Sequence, residues 1–116
     1  MTLDEILKEI KEAENIVILT HETPDGDAIG SSLGMKLGLE KIGKKADLIM
    51  TKHARTFNFL PSVNEIKEQS EIQEYDLAIA LDCATIKMLD NKEYFNNAKK
   101  TIVIDHHGSN NMYGDL

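Results

Sequence analysis

Among the carboxylates and imidazoles of this 116-residue sequence, seven fall into three short groups that could bind metal. His21, Asp25 and Asp27 form the first, Asp82 stands alone, and Asp105, His106 and His107 form the third. Carboxylates and imidazoles without thiolates suit hard or borderline cations such as Mn²⁺, Mg²⁺ or Co²⁺. Five or more such donors are too many for one ordinary ion but suit two ions that share a bridging carboxylate. In two-metal sites the ions lie about 3.5–4 Å apart, clamp the attacking and leaving oxygens of a displacement, and lower the pKa of a bound water. The chemistry indicated is metal-assisted displacement at a phosphate.

Each group also has a plainer reading. Asp25-Gly26-Asp27 alone reads as a turn and helix N-cap. His21 alone reads as a loop histidine bonded to backbone, and Asp82 as a cap for the segment after it. His106-His107 beside Asp105 resists that treatment, because two adjacent imidazoles and a carboxylate lose hydration there with no packing benefit. Cys83 reads as a small buried hydrophobe. As the lone cysteine it offers no internal disulfide and no zinc-type spacing. His53 and Arg55, in a polar stretch, read as solvated, with a phosphate contact from Arg55 as the alternative.

What lifts the metal reading above these is where the groups fall. Ile16-Val17-Ile18-Leu19 is an apolar, β-branched run that predicts a strand buried on both faces, and His21 follows it. Leu77 to Leu81 predicts another, ending at Asp82, and Ile102-Val103-Ile104 a third, ending at Asp105-His106-His107. Leu3, Ile6, Leu7, Ile10 and Ala13 keep the three- and four-residue steps of an amphipathic helix. Ile29, Leu33, Leu37 and Ile42 predict a second helix, with Gly43 as its C-cap glycine. Ala46 to Met50 predicts a further strand, Thr51 to Ser70 a loop with a weak helix, and Lys92 to Ala98 a short polar helix. Strands alternating with helices predict an α/β fold with a mostly parallel sheet flanked by helices. In such sheets ligands bind beyond the carboxyl ends of the strands, so three distant segments can be delivered to one edge.

With these motifs in order, the sequence resembles the DHH superfamily of phosphoesterases. His21-x-x-x-Asp25-Gly26-Asp27-Ala28-Ile29-Gly30-Ser31, then Leu81-Asp82, then Asp105-His106-His107 is similar to the family's first three motifs, spanning Ile16 to Asn110. The helix before the first strand, Phe59-Leu60-Pro61 and Asn110 are most similar to the oligoribonuclease (nanoRNase) and phosphoadenosine-phosphate phosphatase branch. The resemblance implies that His21 and Asp25 hold one Mn²⁺, Asp27 and His106 the other, and that Asp82 bridges the two. It also implies that His107 faces the scissile phosphate, that Asp105 orients an imidazole, and that metal-activated water attacks phosphorus. Mg²⁺ or Co²⁺ are the alternative ions.

Two departures from the family pattern stand out. Thr85 and Met88 occupy the places where the family commonly has an acidic residue and then an arginine, although Lys87 could substitute as a point charge. The family also has a fourth aspartate motif well past the double histidine, then a linker and a second domain that grips substrate. The sequence ends at Gly114-Asp115-Leu116, with Asp115 too close to His107 to stand for the fourth aspartate. Residues 1–116 are therefore expected to form an incomplete DHH domain, with the carboxyl-terminal substrate-binding domain absent.

The expected substrate is a short oligoribonucleotide or a nucleotide such as phosphoadenosine phosphate. An inorganic pyrophosphatase dependent on manganese is the rival enzyme. Gly26 and Gly30-Ser31 favour the nucleotide branch, since pyrophosphatases usually carry a hydroxyl residue at the Gly26 position. A non-catalytic metal- or nucleotide-binding fragment is the alternative outside catalysis. Net charge is −7, from 13 Lys and Arg against 20 Asp and Glu, the wrong sign for a broad nucleic-acid-binding face. Two divalent ions would offset that locally. The apolar runs are too short to span a bilayer, and Met1 to Glu12 lacks the layout of a secretion signal. A cytoplasmic protein with no membrane partner is expected, and a homodimer is an assembly open to it.

Overall fold

Apolar residues that do not alternate with polar ones leave a strand no face to show to water, so a run such as Leu77 to Leu81 has to be covered on both sides. The computed structural model describes residues 3–20, 26–50, 66, 72, 74–81 and 89–104, and in it this run is sandwiched. Strands β1 (Asn15–Leu19), β2 (Lys45–Leu48), β3 (Leu77–Leu81) and β4 (Lys100–Ile104) form a sheet in the order β2-β1-β3-β4. Every pairing among them is parallel, as expected of the α/β class. Helices α1 (Leu3–Glu12), α2 (Gly26–Lys41) and α3 (Lys92–Asn97) accompany them. The stretch read as loop and weak helix, 51–70, lies outside the described residues except for Ile66.

Side chains of successive strand residues point to opposite faces, and the two faces have different covers. Ile16, Ile18, Leu77, Ile79, Leu81 and Ile102 meet Ile10 of α1, Ala13 just after it, and Ile29, Leu33 and Leu39 of α2. Val17, Leu19, Ala78, Ala80 and Val103 meet Tyr94 and Phe95 of α3 together with Tyr75 and Leu89. The small side chains Ala78 and Ala80 leave room for aromatic rings on that second face. Tyr75 and Tyr94 pack edge to face there, with centroids 6.1 Å apart. The Tyr75 hydroxyl donates to the buried Asp47 carboxylate at 2.7 Å, which gives a polar group inside β2 a partner.

Helix α2 ends where the sequence places its stop. Gly43 takes φ +83, its amide donates to the Glu40 carbonyl at 3.0 Å and the Lys44 amide to that of Leu39 at 2.9 Å. That bond pair is the Schellman arrangement, which needs the left-handed conformation glycine adopts freely. The buried stripe of α2 departs from the sequence-based one. Leu37 is 37% and Ile42 60% exposed, while Lys36 and Leu39 are buried. The Lys36 ammonium bonds the Glu40 carboxylate at 2.9 Å and the Ala46 carbonyl at 3.1 Å, which supports a cation in that position. On α1, Leu7 is likewise 42% exposed and sits at the rim of the stripe.

The outer face of α2 carries Gly34 and Gly38, where an added methyl group would meet nothing within 4 Å. Helix-interior glycine is less favourable than alanine by roughly 0.5–1 kcal/mol. Gly34→Ala and Gly38→Ala are each expected to raise stability by about that amount, measured by urea denaturation. A loss of stability in either variant would show that something closely approaches this face.

The amino edge of the sheet is fastened by Asp76. Its carboxylate accepts the amides of Glu14 at 2.9 Å and Asn15 at 3.1 Å and lies 3.4 Å from the Lys99 ammonium. The two backbone amides, and then Lys99, hold the Asp76 carboxyl below its ordinary value of 3.8. A carboxylate whose pKa is lowered by folding stabilises the fold above its unfolded-state value, and that contribution is lost as falling pH protonates it. Asp76→Asn should therefore lower stability by about 1 kcal/mol at neutral pH, since the site is partly solvated. The gap from wild type should shrink as pH drops below the ordinary carboxylate range. Thermal melts across pH 2.5–7 test this (roughly the span in which carboxylates titrate), and a gap that stayed constant with pH would refute it.

Candidate metal centre

In a parallel sheet all carboxyl ends lie on one edge, so strand order decides which segments become neighbours. β1, β3 and β4 are consecutive. Leu19 pairs with Ala80 and Ala80 with Val103, and one step further Leu81 pairs with Ile104. The next residues in the sequence after Thr20, Leu81 and Ile104 are His21, Asp82 and Asp105. His21, Asp25, Asp82, Asp105, His106 and His107 lie outside the described residues. Asp27 is placed as the second residue of α2, with its side chain outside what is described. Among the described residues, no group of three His, Cys, Asp or Glu gathers as a metal site would.

Two further features single out this edge. From β1 the chain passes to β2 on one side, and from β2 it crosses to β3 on the other, so the strand order reverses between β1 and β3. In open α/β sheets that reversal marks the ligand crevice. The 16-residue α2 also begins at Gly26, shortly after β1 ends, and the N-terminus of a helix favours anions. The opposite, amino edge has a hollow of about 480 Å³ lined by Glu9, Glu12, Glu14, Asp76, Lys99 and Lys100. There Asp76 is already engaged in holding β1 and β3 together.

Sequence reasoning missed one contact at the carboxyl edge. The Asp90 amide donates to the carbonyl of the fully buried Thr20 at 2.8 Å. Asp90-Asn91 is a turn-forming pair, a signal that could have drawn attention to it. The donor set itself, three of the four histidines with four aspartates and no thiolate, fits a pair of hard or borderline divalent cations by its chemistry.

An open parallel sheet with helices on both faces, carrying metal-type residues in sequence just beyond three adjacent strand ends, defines a parallel α/β protein, a class whose members bind ligands beyond the carboxyl ends of the strands. The family model "DHH family, N-terminal domain" matches residues 15–115, and the chain belongs to the DHH family. The resemblance read from the motifs is thus borne out. One similar protein is the bifunctional oligoribonuclease and PAP phosphatase NrnA of Thermus thermophilus. It is 37% identical over 115 residues, which cover 97% of this chain and 33% of the relative. NrnA of Bacillus subtilis is 31% identical over 113 residues, covering 97% of this chain and 35% of its own length. The crystal structure of an exopolyphosphatase-related protein from Bacteroides fragilis matches with a TM-score of 0.87 at 27% identity. That match covers 97% of this chain and 36% of the other. The chain thus spans about a third of the length of these relatives. Among the described residues, no helix is long and apolar enough to cross a membrane.

Proposed function

We propose that the chain is the metal-holding part of a phosphoesterase that hydrolyses short oligoribonucleotides or phosphoadenosine phosphate. The observation that carries this reading is the adjacency of β1, β3 and β4, the three strands whose ends precede the DHH-type motifs. The names of the NrnA relatives support the substrate class.

In this reading His21 and Asp25 hold one divalent cation, Asp27 and His106 the other, and Asp82 serves both. Mn²⁺ is the proposed ion, with Mg²⁺ or Co²⁺ as alternatives. When bound, such ions activate water and neutralise charge on the phosphate. His107 faces the phosphoryl group and stabilises the negative charge that develops as the ester bond breaks. Asp105 accepts a hydrogen bond from an imidazole and fixes its orientation, as carboxylates beside ligating histidines commonly do. The positive end of α2 adds to the attraction for phosphate. We place this chemistry in the cytoplasm.

The test is hydrolysis by the chain in Mn²⁺, with an RNA dinucleotide, phosphoadenosine phosphate and pyrophosphate compared side by side. Turnover of either nucleotide above pyrophosphate is expected. Preference for pyrophosphate would replace this reading with a phosphoanhydride hydrolase, a direction that similarity to an exopolyphosphatase-related protein keeps open. Mn²⁺ binding with no turnover of any of the three would make the chain a metal-binding piece that depends on further segments for catalysis.

A further inference from the structure

We propose that the corner Leu89 to Asn91 is a positioning element of this metal site, one that holds the end of β1 on the face it shares with β3. The inference rests on the function proposed above. β3 ends at Leu81, and by Leu89 the chain is back at the sheet, where Leu89 forms an isolated β-bridge and is buried in the same cluster as Val17 and Leu19. The Asp90 amide then bonds the Thr20 carbonyl at 2.8 Å. Thr20 immediately precedes His21, and Leu81 immediately precedes Asp82. One hydrogen bond and one buried leucine therefore fasten this corner to the end of β1, from which the first motif departs, and to the face that β1 shares with β3.

Asn91 determines whether that tie can form. It sits at φ 57, ψ 41, the left-handed region, and its carbonyl accepts the Tyr94 amide at 3.0 Å as α3 begins. This residue reverses the chain from the carboxyl edge into α3 while Asp90 keeps its amide on Thr20. Asparagine is one of the few L-residues that enter this region readily, and a β-branched residue there is an outlier. A valine at this position would favour another backbone angle, turning the Asp90 amide away from Thr20 and loosening the end of β1 relative to β3. Metal sites respond to such errors, because groups behind the ligands set ligand orientation.

The test is Mn²⁺ titration calorimetry on the full chain for wild type, Asn91→Val and Asn91→Gly, with melting temperatures recorded without metal. Asn91→Val is expected to bind Mn²⁺ on the order of tenfold more weakly. Asn91→Gly should stay close to wild type, because glycine takes the left-handed conformation freely. Unchanged Mn²⁺ affinity in Asn91→Val, even with a lower melting temperature, would assign the corner to stability alone and overturn the inference. Equal weakening in Asn91→Gly would overturn it too, since the corner's backbone is preserved there. A wild-type chain that bound no Mn²⁺ would instead overturn the proposed function itself.

Discussion

Asp82→Ala is expected to abolish binding of both metal ions and to lower phosphoester hydrolysis by at least about a thousandfold. Asp82 directly follows β3, and β3 is the middle of the three adjacent strands that lead to the motifs. A donor supplied from the middle strand is the one best placed to serve ions held from both sides. The variant should fold normally, because in the proposed site removing one carboxylate would relieve like-charge repulsion when no metal is bound. Binding linkage offers a readout independent of catalysis. Mn²⁺ at 100 times its dissociation constant should stabilise wild type by about 2.7 kcal/mol. The Asp82→Ala melting temperature should not respond to Mn²⁺. Retention of one ion at unchanged affinity would show that Asp82 does not bridge.

The second large effect concerns the fold. Ile79 is fully buried at the centre of β3, paired with Ile18 on one side and Ile102 on the other, in the cluster covered by α1 and α2. Ile79→Ala removes three carbons from a position where the sheet backbone cannot close in. A loss of about 3–4 kcal/mol is expected, a large part of the roughly 5–15 kcal/mol that holds a domain together. Leu37→Ala on the rim of α2, where the side chain is already 37% exposed, should lose about 1 kcal/mol or less. Chemical denaturation of the two variants together provides the comparison, and similar losses would mean that the core is centred elsewhere.

The strands were legible in the sequence because their apolar runs are short and unbroken, and Leu77 to Leu81 matches β3 residue for residue. Gly43 marked the end of α2 for a reason local enough to read, its left-handed backbone. The buried stripe of α2 was harder. Stepping by four residues from Ile29 to Leu33 to Leu37 turns about 40° too far each time for a 3.6-residue helix, so Leu37 drifts to the rim and Lys36 takes the inner place. A charged residue is not an obvious core candidate, although its spacing to Glu40 displayed the partner. The buried Asp47–Tyr75 pair joins segments far apart in the sequence and has no local signature. For the candidate site, residue types and their places after strands could be read directly. That β3 lies against β1 could not, because pairing of distant strands is decided by how whole faces pack. Apart from the backbone of Asp27, the aspartates and histidines after Thr20, Leu81 and Ile104 lie outside the described residues, so the roles proposed for them rest on strand order and family membership.

The order β2-β1-β3-β4 also has a consequence in time. Of the three pairings, β3 with β4 joins the segments nearest in sequence, while β1 with β3 closes the widest loop, as the 61-residue separation of Asn15 and Asp76 illustrates. Wider loops lose more entropy on closing, and parallel sheets built from distant strands assemble slowly. The edge that would hold the cations therefore comes into being with the most demanding closure. A cation bound there would act on the finished sheet, holding the folded chain against opening.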